Sequence, residues 1–533
     1  MSQSFLVLLP PTIVFMISLY TKQLTPAFLA GIIAAALIST GAKDPIAFIT
    51  LLKDRFSTQL FSIDNFYIYG FLISIGCLIA LLLRTGGAYA FSQLFTKKLR
   101  SSKEAEGSTF LFSCILFIDD YLSNLTVGHI MRPITDSFHI PRAKLAFLVH
   151  SMTSPLAILA PISSWSAMII SQLENTGVQS ITKSTSIIFI DPAYVYLYTI
   201  PFTFYSLLMI FSVLFIILST LSFGPMRKHE IIAKKENNLF GGKKPLNSLS
   251  KKHPHPSATI FDFILPLSSL FISIFFGTAY FGNYYLLGGN STFLEAMQSN
   301  SNPFSVLFFA GFFSFLISFL YAYSTKKIPL NSFFSITTQG SSLMLGAIKM
   351  IFLAGIFGTL LSQDLQTGQY LAKTLINSVP IAFLPCMFYT IALIVTVATG
   401  SAWGTIGMLL PIAIPMIIKL SGMDCPVDPV SIYILYPTLG AIFSGSVCGD
   451  HLSPVSETSI MAASSSGCYP MDHIKTQLPY ALPATIITFF SFIIAGFISN
   501  YFWSIIISLS FGIIFCIIPL KMMDLLENRK TTK

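Results

Sequence analysis

Residues 117–128 read Phe117-Ile-Asp-Asp-Tyr-Leu-Ser-Asn-Leu-Thr-Val-Gly128, a polar interruption in an otherwise apolar run, 108–131. Its flanks decide its path. The loop before it, 96–107, holds Lys97, Lys98, Arg100 and Lys103; the loop after it, 132–144, holds Arg132, Arg142 and Lys144. Basic loops stay on the inner side of a membrane. Both ends of the run therefore belong on one side, and 108–131 is expected to enter and leave as a re-entrant hairpin.

The rest of the chain reads the same way. Of its 533 residues, 53% are hydrophobic and only 10% charged, against about 25% charged in a soluble protein. So few charges cannot cover a surface facing water. Apolar runs long enough to cross about 30 Å of hydrocarbon recur from end to end. Crossings are expected at 5–20, 24–41, 66–86, 145–170, 194–223, 260–282, 303–323, 331–361, 431–468, 478–499 and 501–520. The net charge of +9 lies in short loops, which argues for positive-inside topology and against nucleic acid. The first basic residue, Lys22, follows the first apolar run, so 5–20 reads as a retained helix. The seven cysteines form no C-x-x-C pair and read as small buried hydrophobes.

Parity then orders the chain. The polar stretch 224–258, with eight lysines and arginines, is expected to be a flexible cytoplasmic linker between two halves. Residues 283–302 have no basic residue, and 421–430 carry Asp424 and Asp428, so both fit outside. The run 379–420 becomes a second hairpin, or two short crossings, approached from the outside. Residues 42–65 fall outside in this scheme despite Lys43, Lys53 and Arg55. Each half reads crossing, hairpin, broken crossing, crossing, with opposite starting direction. Two echoes agree: Ser123 and Ser401 each lie ten residues before a Pro-Ile pair, and Ser154-Pro155 is matched by Ser453-Pro454. The expected fold is an all-α polytopic membrane protein: about 11 transmembrane helices plus two broken or re-entrant hairpins, in an inverted repeat. Its parts are N-terminal helices (1–60), a first repeat (61–223), the linker (224–258), connecting helices (259–330), a second repeat (331–500), and a C-terminal helix with a cytoplasmic tail (501–533). Interrupted helices in such a repeat place a binding site near the midplane.

Four motifs supply candidate ligands. In the first, each of Asp119 and Asp120 costs about 2.5–3.5 kcal/mol at a helix centre; one carboxylate is expected to line a cavity and the other to bond backbone. Ser123, Asn124 and Thr126 add oxygens suited to a hard cation. A solvated loop end is the bland alternative. In the second, Thr153 to Trp165, Pro155 and Pro161 free backbone carbonyls beside Ser154, or simply kink a packed helix; His150 reads as a packed or interfacial histidine. In the third, Ala398 to Thr405, Gly400 and Gly404 can unwind a helix near Ser401 and Thr405, and Trp403 can gate or pack. The fourth is the densest: Asp450, His451, Ser453, Pro454, Ser456, Glu457 and Thr458 share one broken apolar segment. Ionisable residues at that depth read as functional. A carboxylate trading protons near neutrality must sit well above its reference pKa of about 3.9, and burial does this. Asp450 is the first candidate, with His451 tuning it.

These residues carry a resemblance. FIDDYLSNLTVGHIMRPITD, SPLAILAPISSWSAMI, ATGSAWGTIGMLLPIAIP and GDHLSPVSETSIMAA resemble, in order over roughly 60–500, the signature segments of the NhaC-type sodium/proton antiporter family of the ion transporter superfamily. The resemblance implies Na⁺ efflux coupled to H⁺ entry and no ATP. The chain departs from the pattern where Ser123 precedes Asn124 and where Glu457 replaces Asp.

The expected function is therefore Na⁺/H⁺ exchange at one central site in the inner membrane, multi-pass, with the C-terminus cytoplasmic. Asp450, Asp119 or Asp120 and the neighbouring hydroxyls would hold Na⁺ or H⁺. Partners are the two ions and the lipid bilayer; a homodimer is compatible, and no cofactor is expected. An exchanger of an organic acid or amino acid is the alternative, with Lys349 as the mid-membrane cation it would need. An enzyme is not expected: Gly-x-Ser-x-Gly, His-Glu-x-x-His and Gly-x-Gly-Asp are absent, as is Walker A.

Overall fold

In lipid, the backbone must satisfy its own hydrogen bonds, so apolar runs become helices. The computed structural model describes residues 5–21, 23–41, 44–179, 187–245, 257–292, 303–375, 380–423, 427, 429, 432–454 and 456–531. Lys43, Lys251, Lys252, Asp424 and Asp428 lie outside the described residues. The described chain is nearly all helical; its one sheet is a pair of two-residue parallel strands, Val178–Gln179 and Ile188–Phe189.

Among the described residues, nine helices are long and apolar enough to cross a membrane, or ten with one bent pair taken as a span. The eleven expected crossings are thus redistributed. Residues 145–170 split into Arg142–Leu159 and Ser164–Asn175, bent by 48°. Residues 431–468 split into Leu435–Leu452 and Glu457–Ser466. The two N-terminal apolar helices are short, Phe5–Ile17 and Thr25–Thr40. Both arms of the second hairpin, Ile381–Thr399 and Ala402–Leu420, qualify as spans.

The first hairpin comprises Ser102–Ile115 and Asp120–Ser137. Its base is closed by charge. Lys144 Nζ lies 2.7 Å from Glu106 Oε1 and 2.7 Å from Glu230 Oε1, all largely buried, and Arg142 pairs with Asp136 at 2.9 Å. Residues 106 and 144 thus meet on one face, as the basic loops on either side predicted. Glu230 belongs to a helix, Gly224–Glu236. The first part of the linker is therefore docked rather than flexible, because its acid completes a buried cation's pairing; Lys243 adds a bond to Asp472 at 2.6 Å.

Residues 42–65 hold a helix the hydropathy does not announce. Pro45–Phe61 is capped by Asp44, which accepts from Ile46 and Ala47 N–H at 2.9 and 3.1 Å. Arg55 pairs with Asp364 at 2.8 Å, so the charges that broke the apolar pattern are the docking contact.

One element order occurs twice: long helix, short helix, hairpin, broken helix, long helix. It runs Ile63–Thr85, Gly87–Thr96, the first hairpin, Arg142–Leu159 with Ser164–Asn175, then Phe204–Ser219 after a short helix, Pro192–Thr199; and again Ser332–Thr359, Thr367–Leu375, Leu384–Thr399 with Ala402–Leu420, Leu435–Leu452 with Glu457–Ser466, then Pro470–Phe497. The contacts are reciprocal. The second arm of the first hairpin packs on Glu457–Ser466, and that of the second hairpin packs on Ser164–Asn175. Ile63–Thr85 and Ser332–Thr359 cross at Gly76 and Gly340, where a Cβ on either would strike the other's backbone. The Ser123/Ser401 echo is out of register by one turn: Ser401 caps its helix, and the matching cap is Asp119.

Candidate ion site

Four helices begin at breaks in the core, and each buried N-terminus needs an acceptor for its free N–H groups. Asp119 Oδ1 accepts from Leu122 N at 2.8 Å, Ser163 Oγ from Ser166 N at 3.0 Å, Ser401 Oγ from Gly404 N at 3.1 Å, and Ser456 Oγ from Ser459 N at 3.4 Å. Gly400, at φ 71°, turns the chain into the third break.

The breaks enclose a cavity of about 20 Å³ lined by Asp120, Ser401, Asp450, Glu457 and Thr458, with Trp165 and Trp403 packed edge to face at 5.9 Å. That is room for roughly one water-sized sphere. Among the described residues, no Lys or Arg lines it. Lys349 is exposed, although Ala347 and Met350 beside it line the cavity.

The adjacent aspartates part company. Asp119 is extended and spends Oδ1 as a cap. Asp120 turns to the cavity; Oδ1 accepts from Tyr121 N at 3.1 Å, and buried Oδ2 has no hydrogen-bond partner. Glu457, from the other half, accepts the Tyr121 hydroxyl at 2.5 Å.

Asp450 is surrounded. Thr458 Oγ1 donates to it at 2.6–2.7 Å, Ser154 Oγ at 3.3 Å, and Ser456 Oγ also donates. His150 Nε2 lies 3.4 Å from Oδ2 and 3.1 Å from Thr458 Oγ1. His150 Nδ1 in turn meets His473 Nε2 and Gln477 Nε2, each at 3.1 Å.

A family model, described as the Na⁺/H⁺ antiporter family, matches residues 156–497. The chain belongs to the Na⁺/H⁺ antiporter family. The matched segment begins inside the second motif, holds the third and fourth, and excludes the first hairpin. An uncharacterized protein of Haemophilus influenzae is 29% identical over 503 residues, 93% of this chain and 92% of that one. The malate-2H⁺/Na⁺-lactate antiporter of Bacillus subtilis is 36% identical over 104 residues, 20% of each chain. The crystal structure of the YdaH transporter of Alcanivorax borkumensis shares the fold: TM-score 0.50, 13% identity, 85% of this chain and 89% of that one.

In this Na⁺/H⁺ antiporter family member, the cavity gathers Asp120, Trp165, Gly400, Ser401, Trp403, Asp450 and Glu457 from the expected set. Ser154 and Ser456 reach it through Asp450. Asn124 instead ties the hairpin to the other half, donating to Thr458 O at 3.2 Å. Ser123 and Thr126 are buried in the same helix but do not line the cavity. Ser453 donates to Val397 O at 2.9 Å, beside exposed Pro454. Gly404 and Thr405 border a crevice with Val14, Phe15 and Phe28 instead, since Thr405 points back to Ser401 O at 2.9 Å. Pro155 lies within Arg142–Leu159 and Pro161 in the break after it. His451 turns from the cavity to the Tyr205 hydroxyl at 3.0 Å.

His150, expected as a packed or interfacial histidine, is fully buried and is a direct neighbour of Asp450. Tyr121, His473 and Gln477 escaped the sequence reading. A signal was present: His150/Ser154 and His473/Gln477 are polar pairs at i, i+4, on one helix face each.

Proposed function

We propose that this transporter exchanges Na⁺ for H⁺ across the inner membrane by alternating access. The observation that carries the reading is the cavity: three carboxylates from both halves face a space of single-ion size, and among the described residues no lysine or arginine lines it. A cation that can shed its water there suits such a site; an anion does not.

Within this reading the two ions use different carboxylates. Asp120 Oδ2 has an unused acceptor, which suits Na⁺ with Ser401 and Glu457 nearby. Asp450 has its acceptors filled by donors and sits against an imidazole, which suits the proton. The two repeats, 61–223 and 331–500, would rock against each other about the Gly76–Gly340 crossing, with the linker and C-terminal tail on the cytoplasmic side.

The test is reconstitution in proteoliposomes. An imposed Na⁺ gradient should drive counter-movement of protons, and Asp120→Asn should abolish it. Proton movement without Na⁺ dependence would sink the proposal.

A second reading, exchange of a small organic acid, is favoured by one feature. Four helix N-termini converge on the centre, and such ends attract carboxylates. The Bacillus subtilis relative exchanges malate and lactate by its name. Against it, the chain's own side chains already cap those ends: Asp119, Ser163, Ser401 and Ser456. Malate or lactate driving proton flux where Na⁺ alone does not would favour this reading.

A further inference from the structure

We propose that His150 and His473 carry the coupling proton between Asp450 and the face bearing the Gly224–Glu236 helix, along a path separate from the sodium cavity. The proposal rests on the Na⁺/H⁺ reading above and adds the proton's route.

The argument begins with what surrounds Asp450. Three of its side-chain donors are hydroxyls, from Ser154, Ser456 and Thr458. The fourth neighbour, His150, is the one of the four with two ring nitrogens, so it can take up a proton at one and release another from the other. Hydroxyls can pass a proton on but cannot hold one there.

The hydrogen bonds set the tautomer. Gln477 Nε2 donates to His451 O at 2.7 Å and reaches His150 Nδ1 at 3.1 Å, so that nitrogen accepts and His150 carries its proton on Nε2, facing Asp450. His473 Nε2 points to the same Nδ1 at 3.1 Å and donates to it. His473 Nδ1 is then a bare acceptor; it is buried and has no hydrogen-bond partner.

The chemistry balances without any further reactant. A proton arriving at His473 Nδ1 releases the Nε2 proton to His150 Nδ1. His150 then releases its Nε2 proton to Asp450 Oδ2, directly or through the Thr458 hydroxyl. Asp450 becomes neutral, and each imidazole changes tautomer and stays neutral. Unloading runs the same steps backward. For repeated one-way passage both rings must regain their first tautomers. After the transfer, His473 Nε2 is bare and accepts from His150 Nδ1–H at 3.1 Å.

The far end lies near the surface. His473 adjoins Asp472, which pairs with Lys243 at 2.6 Å, and the Lys243 side chain is 51% exposed. His150 is faced by Asp450, His451, Thr458, His473 and Gln477; His473 is faced by His150, His451 and Asp450, with Cys468 and Asp472 beside it. Among the described residues of the path, Asp450 and Thr458 also line the sodium cavity, and His150 and His473 do not.

The experiment uses the full chain in proteoliposomes and two fluxes: Na⁺-driven proton flux, and radiosodium counterflow, in which Na⁺ replaces Na⁺ and no proton moves. His473→Gln should cut proton flux by about 10²-fold, the usual scale for a lost proton-transfer group, and leave counterflow at the wild-type rate. His150→Gln should fall in the same direction. Wild-type proton flux in His473→Gln overturns the relay. Equal loss of both fluxes also overturns it, by making His473 structural. Failure of the underlying reading looks different: the wild-type protein itself then shows no Na⁺-driven proton flux.

Discussion

Asp120 and Asp450 border one cavity and are built in opposite ways. Asp120 stands at the start of a hairpin arm with one carboxylate oxygen unpartnered. Asp450 ends a helix, and three hydroxyls and an imidazole converge on it. A buried carboxylate with a vacant acceptor gains most from a cation, since an unmade charged contact is expensive to leave. One already filled gains little from Na⁺ and can exchange a proton with its neighbours. The difference teaches that burial alone does not assign a role; the donors around each acid do.

The sharpest way to break this contrast is to neutralise each acid and read both fluxes. Asp120→Asn should remove both sodium-driven proton flux and sodium counterflow, by about 10³-fold if the charge contributes about 4 kcal/mol. Asp450→Asn should lower proton flux by about 10²-fold yet keep counterflow. If Asp450→Asn lost counterflow as fully as Asp120→Asn, the division of labour would be wrong. Thr458→Val removes the hydroxyl between His150 and Asp450; a loss of about tenfold in proton flux, near 1.4 kcal/mol, is expected from one charge-assisted bond. Tyr121→Phe frees Glu457 without touching either aspartate. It should raise the half-saturating Na⁺ concentration by about fivefold, roughly 1 kcal/mol, with proton coupling per sodium unchanged.

Several parts of this arrangement were legible beforehand. Basic loops on both sides of 108–131 predicted a hairpin, and Glu106, Lys144 and Glu230 meet at its base. The density of acids and hydroxyls at 449–458 pointed to the centre, where Asp450 and Glu457 lie. The helix Pro45–Phe61 was not legible, because Lys53, Asp54 and Arg55 interrupt its hydropathy and their partner, Asp364, is more than 300 residues away. The docked linker helix was missed for the same reason: Lys144 holds it through Glu230.

The sequence by itself determined that this chain crosses a membrane many times, that its helices break at four polar motifs, and that acids sit at two of them, the first and the fourth. These follow from local composition, because charge and hydropathy act residue by residue on the cost of entering lipid. Only the tertiary structure decided that Asp120 rather than Asp119 faces the cavity, that His150 reaches Asp450 across 300 positions of chain, and that Thr405 turns elsewhere. Those outcomes depend on which helix end meets which, and directional bonds between distant segments leave no mark in local composition.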